Sequence, residues 1–124
     1  MRYNLRMNTR IKGKKSEELA AEYLTSQGFS LLGKNSFFKG GEIDLIMLDG
    51  EFLVFVEVKS IQKDNVVTIY ETLSKTKKHR LKNTINKWLL KNNRLEDAWR
   101  LDFVGIVYDN LDYQIEHFKF IDLN

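Results

Sequence analysis

Apolar residues recur at helical spacing in two stretches of the chain and at strand spacing in the rest. Residues 16–27 read as a helix: Leu19, Ala20, Ala21, Tyr23 and Leu24 form an apolar side. Ser16 is suited to cap it, Glu17 and Glu18 suit the positive end of its dipole, and Gly28 suits its stop. Three strands are predicted next, at 29–38 with Gly33 as a bulge position, at 42–48 and at 51–59. Asp49-Gly50 between the last two is a hairpin signal. A long helix follows over 71–91, with Leu73, Leu81, Ile85, Trp88 and Leu89 as its buried stripe. Strands at 101–108 and 113–121 close the chain. The order αβββαββ predicts an α/β domain built on a sheet of mixed strand direction. Residues 1–12 show no periodicity and read as a flexible basic arm, with Met7 as an alternative start, before a single domain over 13–124.

Period-two geometry places side chains on the central hairpin. With Asp49-Gly50 as a two-residue turn, Leu48 opposes Glu51, Asp44 opposes Phe55 and Glu42 opposes Glu57. Glu42, Asp44, Glu57 and Lys59 then share one face, with Asp44 and Glu57 as diagonal neighbours about 7–8 Å apart at the backbone. Ile43, Leu45, Met47, Val54, Val56 and Val58 fill the other face and read as core. Three carboxylates beside one lysine raise each other's proton affinity. Buried without compensation, each would cost several kcal/mol, out of the roughly 5–15 kcal/mol that holds a domain together. Such a face is either open to water, as an ordinary solvated sheet surface, or occupied by a cation. Oxygen ligands of this kind suit Mg²⁺ or Mn²⁺.

Two helix residues bear on the same face. Glu17 lies three, four and seven residues before Ala20, Ala21 and Leu24, so it points to the sheet or serves the first turn's dipole. Lys77 lies four after Leu73 and four before Leu81, on the buried stripe. It either snorkels outward or extends over the acidic face to meet a phosphate. Lys78, Arg80 and Lys82 point elsewhere, tracking a nucleic-acid backbone or simply solvated.

Composition then narrows the function. The 124 residues contain no cysteine and two histidines, which excludes disulfide frameworks, thiolate metal sites and histidine-rich ones, and fits a cytoplasmic location. No apolar run is long enough for a membrane span, and no signal peptide is evident. Lys+Arg number 20 against 17 Asp+Glu. Fourteen of those cations fall in two acid-free stretches, 1–16 and 72–95. Clustering of this kind is the footprint of a polyanion partner, or of a solvated helix face and tail. Serine-hydrolase and P-loop motifs are absent.

The strings Gly40-Gly41-Glu42-Ile43-Asp44-Leu45-Ile46 and Phe55-Val56-Glu57-Val58-Lys59 resemble the YraN family of small bacterial proteins. That family is similar to the restriction-endonuclease-like PD-(D/E)XK nucleases, especially archaeal Holliday junction resolvases. Residues 17–24, Lys77 with Arg80-Leu81, and Arg100-Leu101-Asp102-Phe103-Val104 extend the resemblance over nearly the whole chain. Two positions depart from it: Ser16 where the family usually has Gly, and Ser60-Ile61 where it usually has Thr-Arg. The resemblance implies a restriction-endonuclease-like fold and a Mg²⁺- or Mn²⁺-dependent endonuclease acting on structured or branched DNA. It implies a catalytic set of Glu17, Asp44, Glu57 and Lys59, with Asp44, Glu57 and the Val58 carbonyl as metal ligands. Lys14, Lys15, Lys77, Lys78, Arg80 and Lys82 would position the nucleic acid. Symmetric cutting of a four-way junction would require a homodimer. The rival reading is a nucleic-acid-binding module that keeps the fold without cleaving. Stacking aromatics would favour it, and Phe37-Phe38 is the one adjacent pair, with one member expected in the core. A scaffold without nucleic acid is a third reading.

Overall fold

A computed structural model describes residues 2–4, 12–65 and 73–124. Its elements run β1 (Arg2–Asn4), α1 (Lys12–Ser26), β2 (Ser30–Phe38), β3 (Gly41–Asp49), β4 (Phe52–Gln62), a 3-10 turn (Lys63–Asn65), α2 (Lys75–Lys91), β5 (Trp99–Asp109) and β6 (Asp112–Phe118). From α1 onward the order is the predicted αβββαββ. Within the stretch read as an arm, Arg2–Asn4 pair antiparallel with β6. The rest of that stretch up to residue 11 lies outside the described residues.

Among the described residues the sheet has six strands in the order β1-β6-β5-β4-β3-β2. Only β4 and β5 among the described strands pair in parallel, and α2 lies in the crossover between them. The β2–β3 register shifts between Leu31 and Gly33, at the expected bulge position.

Three expectations change. The hairpin turn is Gly50-Glu51 rather than Asp49-Gly50, because Asp49 pairs with Phe52 and Leu48 with Leu53. Gly50 has φ 62, which suits the first central position of a type II′ turn, where glycine is favoured. The resulting slip is two residues, so the side chains of the paired stretch keep their faces.

The helices also start elsewhere. α1 begins at Lys12, and Ser16 lies inside it rather than at its cap. Ser16 is buried, its hydroxyl 2.8 Å from that of Tyr108 on β5. α2 begins at Lys75, where the Ser74 hydroxyl accepts from the Lys77 amide at 3.2 Å. Leu73 is buried just before that cap; Glu71, the expected start, lies outside the described residues.

Finally, both sheet faces carry core. Leu45, Met47, Val54 and Val56 pack with Leu19, Ala20 and Leu24 of α1. Ile46, Leu53 and Phe55 pack with Leu81, Ile85, Trp88 and Leu89 of α2. Ile43, expected on the α1 side, joins the α2 cluster, and so does Phe38 at its edge. The face that carries the carboxylates is therefore covered by α2 over most of its length, and the first turn of α2 reaches over the acidic end.

That end is shaped by a fork. The β3–β4 pairing runs only from Asp49↔Phe52 to Leu45↔Val56. Beyond it β3 stays with β2 as far as Gly41, whereas β4 continues along β5 to Gln62. Asp44 and Glu57 are the residues immediately past the last shared pair.

Candidate active site

At the fork the backbone of β4 turns one amide toward β3. The Val58 N–H donates to Asp44 Oδ2 at 2.9 Å. Asp44 is only 6% exposed and Glu57 9%. Glu57 Oε1 lies 3.0 Å from Lys77 Nζ, which α2 extends from its first turn. Of the two fates open to Lys77, reaching over the acidic face is the one observed. Arg80, one turn further along α2, lines the same cleft, contrary to the expectation that it points away. The cleft has a volume of about 310 Å³ and is bounded by Glu42, Asp44, Glu57, Lys77, Arg80 and Thr84. Gly41 forms its floor, where a Cβ would strike the Thr84 hydroxyl, so glycine lets α2 close on β3.

Glu17 approaches from α1. It is half-buried, bonded to the Asn35 side chain of β2, and close enough to Glu42 and Glu57 to feel their charge. Asn35 (φ 48) occupies the left-handed region that asparagine tolerates.

The electrostatics follow from this crowding. Burial pushes the Asp44 carboxyl up from 3.8 to about 7. Glu57 adds to the rise, the Val58 amide opposes it, and Glu17 and Glu42 contribute further. Burial also raises Glu17 above the usual carboxylate range, with Asn35 opposing and Glu42 and Glu57 reinforcing. Two carboxyls thus resist ionisation in one place.

The remaining candidates separate. Lys59 stands exposed two residues beyond Glu57, and among the described residues it makes no ion pair. Val58 is half-buried against the α1 core. Lys78 lies beside Leu73 and Phe118, and Lys82 beside Trp99 and Phe120, away from the carboxylates. Lys15 pairs weakly with Glu18 at 3.5 Å. The Lys14 side chain lies outside the described residues. Of the aromatic pair, Phe38 packs inward while Phe37 is 73% exposed.

Among the described residues, no three His, Asp or Glu side chains are grouped so as to hold a metal. A hard divalent cation such as magnesium asks for less: it takes only one or two carboxylates and completes its shell with waters. Asp44 and Glu57 supply that donor chemistry, and a cation would relieve the repulsion from Glu57 that adds to the effect of burial on Asp44. The donor set fits, with the Lys77 ammonium already resting on one of its members.

A second polar cluster goes beyond what the sequence pattern suggests. Asp102 is fully buried and receives Arg100 Nε at 2.9 Å, His117 Nε2 at 2.8 Å and the Phe120 amide at 3.2 Å. Arg100 also reaches Asp49 at 3.1 Å, its guanidinium 4.8 Å from the Phe120 ring centre. Two residues apart on β5, Arg100 and Asp102 share a face. That signal was legible, but the strand begins at Trp99, before the predicted start at 101.

Comparison with known proteins gives a consistent result. The model of "Uncharacterised protein family UPF0102" matches residues 16–106. A UPF0102 protein of Carboxydothermus hydrogenoformans is 38% identical, over 91% of this chain and 96% of its own. One from Anaeromyxobacter dehalogenans is 37% identical over 86% and 79%, and one from Geobacter metallireducens 31% identical over 90% and 91%.

Proposed function

Since this chain belongs to the uncharacterised UPF0102 family, which is the YraN family, we propose that it is a metal-dependent endonuclease acting on structured or branched DNA. The observation that carries the reading is the buried, under-neutralised Asp44 beside Glu57 and Glu17, at the mouth of a cleft lined by Lys77 and Arg80. Carboxylates held together against their own repulsion invite a cation, and the two cations on the rim suit a phosphate.

Asp44 and Glu57 would hold Mg²⁺ or Mn²⁺, with the Val58 carbonyl as a further ligand. The ion supplies Lewis-acid polarisation of a phosphoryl oxygen and lowers the pKa of water. The Val58 amide fixes the orientation of Asp44. Glu17, its pKa raised by burial and its side chain tied to Asn35, would complete the site through water. Lys59 would orient the attacking water and offset phosphate charge. Lys77 and Arg80 would position the backbone, with Lys14, Lys15, Lys78 and Lys82 extending the contact.

A second reading, a nucleic-acid-binding module that does not cleave, is favoured by one observation. Lys77 satisfies Glu57 without any metal. Cleavage of linear, flapped and four-way DNA with Mg²⁺ or Mn²⁺, run beside Asp44→Asn, decides between them. The nuclease reading expects cutting by wild type only when a divalent ion is present, and none by the variant, which still binds. Binding without cutting by either protein selects the second reading. Equal cutting by both proteins removes the enzymatic reading.

A further inference from the structure

Resting on the nuclease reading, we infer that the cleft takes a divalent cation and a phosphate together rather than singly, with Lys77 as the residue exchanged between them. The Lys77 ammonium lies 3.0 Å from Glu57 Oε1, and the two side chains are 35% and 11% exposed. It therefore stands where a counter-cation of Glu57 would stand. Its own stem is long, half-exposed and outside the α2 core cluster, so it can swing away without disturbing packing.

The charges make each ligand unwelcome alone. A divalent cation approaching Glu57 meets the Lys77 ammonium already there. A phosphate approaching Lys77 and Arg80 meets Glu42, Asp44 and Glu57 in the same cleft. Arriving together, the two ligands divide the site: the cation takes the carboxylates, and the phosphate draws Lys77 off Glu57 while keeping Arg80. Each removes the charge that opposes the other. Coupling of this kind is reciprocal and ordinarily amounts to about 5–150-fold in affinity. It would keep the protein from loading metal until a nucleic-acid backbone is in place.

The test measures Mn²⁺ binding to the full chain through the electron paramagnetic resonance signal of the free ion. It is run with and without a phosphorothioate single-stranded oligonucleotide, against an oligonucleotide-only blank. Wild type should bind Mn²⁺ weakly alone and about tenfold more tightly with the oligonucleotide. Lys77→Gln should bind about tenfold more tightly than wild type alone, and should gain less than about threefold from the oligonucleotide. Arg80→Gln removes the same charge from the same cleft, but among the described residues Arg80 makes no ion pair with Glu57; alone it should gain less than about threefold. Circular dichroism checks that each variant folds. Equal gains by Lys77→Gln and Arg80→Gln would reduce the effect to general electrostatics and overturn the exchange. Mn²⁺ binding that Asp44→Asn abolishes, but that is the same in Lys77→Gln and wild type, leaves the nuclease reading standing and removes the inference. Absence of Mn²⁺ binding from every protein, with or without oligonucleotide, removes both.

Discussion

Two buried aspartates in this molecule meet opposite fates. Asp102 is fully buried and Asp44 is 6% exposed, so desolvation acts against the charge of both. It is the largest influence on each, and at Asp102 it is overcome. Hydrogen bonds from His117, Arg100 and the Phe120 amide, with the Arg100 charge, hold that carboxyl below the ordinary range. Asp44 receives one amide, from Val58, and faces Glu57, Glu17 and Glu42, so it rises to about 7. Burial marks neither as structural nor as functional; the balance of partners does. A carboxylate with every need met holds the fold together, and one left under-compensated is a candidate for chemistry.

The largest expected effect breaks the satisfied cluster. Asp102→Ala leaves Arg100 with Asp49 as its carboxylate partner among the described residues, and strips His117 and the Phe120 amide of an acceptor. Removing one member of a buried charge pair typically costs about 3–5 kcal/mol. Denaturant unfolding at pH 7 should show a loss of that size. A loss below about 1 kcal/mol, the scale of an ordinary substitution, would mean the network holds little.

The next effect has the opposite sign. In the absence of divalent metal, Asp44→Asn should stabilise the protein. The folded-state carboxyl titrates near 7 against an ordinary value of 3.8, so between these values the native state binds the extra proton. Wild-type stability therefore falls as pH rises through that window. The variant's advantage should be absent below pH 4, grow across the window, and level off above pH 7 at no more than about 4 kcal/mol, at 1.36 kcal/mol per unit. Asp102 behaves inversely: its contribution is present above the ordinary carboxylate range and is lost as pH falls through its lowered value. Added Mg²⁺ should stabilise wild type by mass action and leave Asp44→Asn unmoved. Thermal unfolding across pH 4–8, with and without Mg²⁺, tests both statements.

A smaller effect concerns the basic helix. Lys77 and Arg80 face the cleft, whereas Lys78 and Lys82 lie toward the C-terminal segment. The double variant Lys77→Gln/Arg80→Gln should reduce the slope of log affinity against log salt for DNA by about 2, near one unit for each phosphate no longer neutralised. Fluorescence anisotropy at several salt concentrations measures it. An unchanged slope would place the DNA elsewhere on the molecule.

How much of this was legible in the sequence depends on the range of each interaction. The αβββαββ order and the closeness of Asp44 to Glu57 come from local periodicity, and they survive a misplaced turn. Moving the hairpin closure to Asp49↔Phe52 slips the register by two residues and preserves faces; a slip of one would have separated the carboxylates. Ser16 misleads because its hydroxyl serves Tyr108, far along the chain, instead of a helix end. The Arg100–Asp102–His117 cluster needs two strands and the C-terminal segment brought together, which no local pattern shows. Helical phase alone assigns Arg80 to solvent. The fork that parts β3 from β4 opens a cleft on that side, and the sequence carries no sign of where strands separate.

The smallest expected effect on stability is at Lys59, and it sharpens the contrast because the residue belongs to neither buried cluster. Its side chain is exposed and, among the described residues, makes no ion pair, while its place on β4 opposite Gly105 depends on backbone alone. Lys59→Ala should therefore change stability by no more than about 0.5 kcal/mol. If the nuclease reading is right, DNA affinity should fall only slightly and the chemical step should suffer most, because one cation among many contributes little to binding but stands next to the reacting phosphate. Single-turnover cleavage at saturating protein separates the two. A rate equal to wild type would exclude Lys59 from the chemistry and leave Lys77 as the lysine of the site. A lost rate with unchanged stability would identify a residue that serves the chemistry and not the fold.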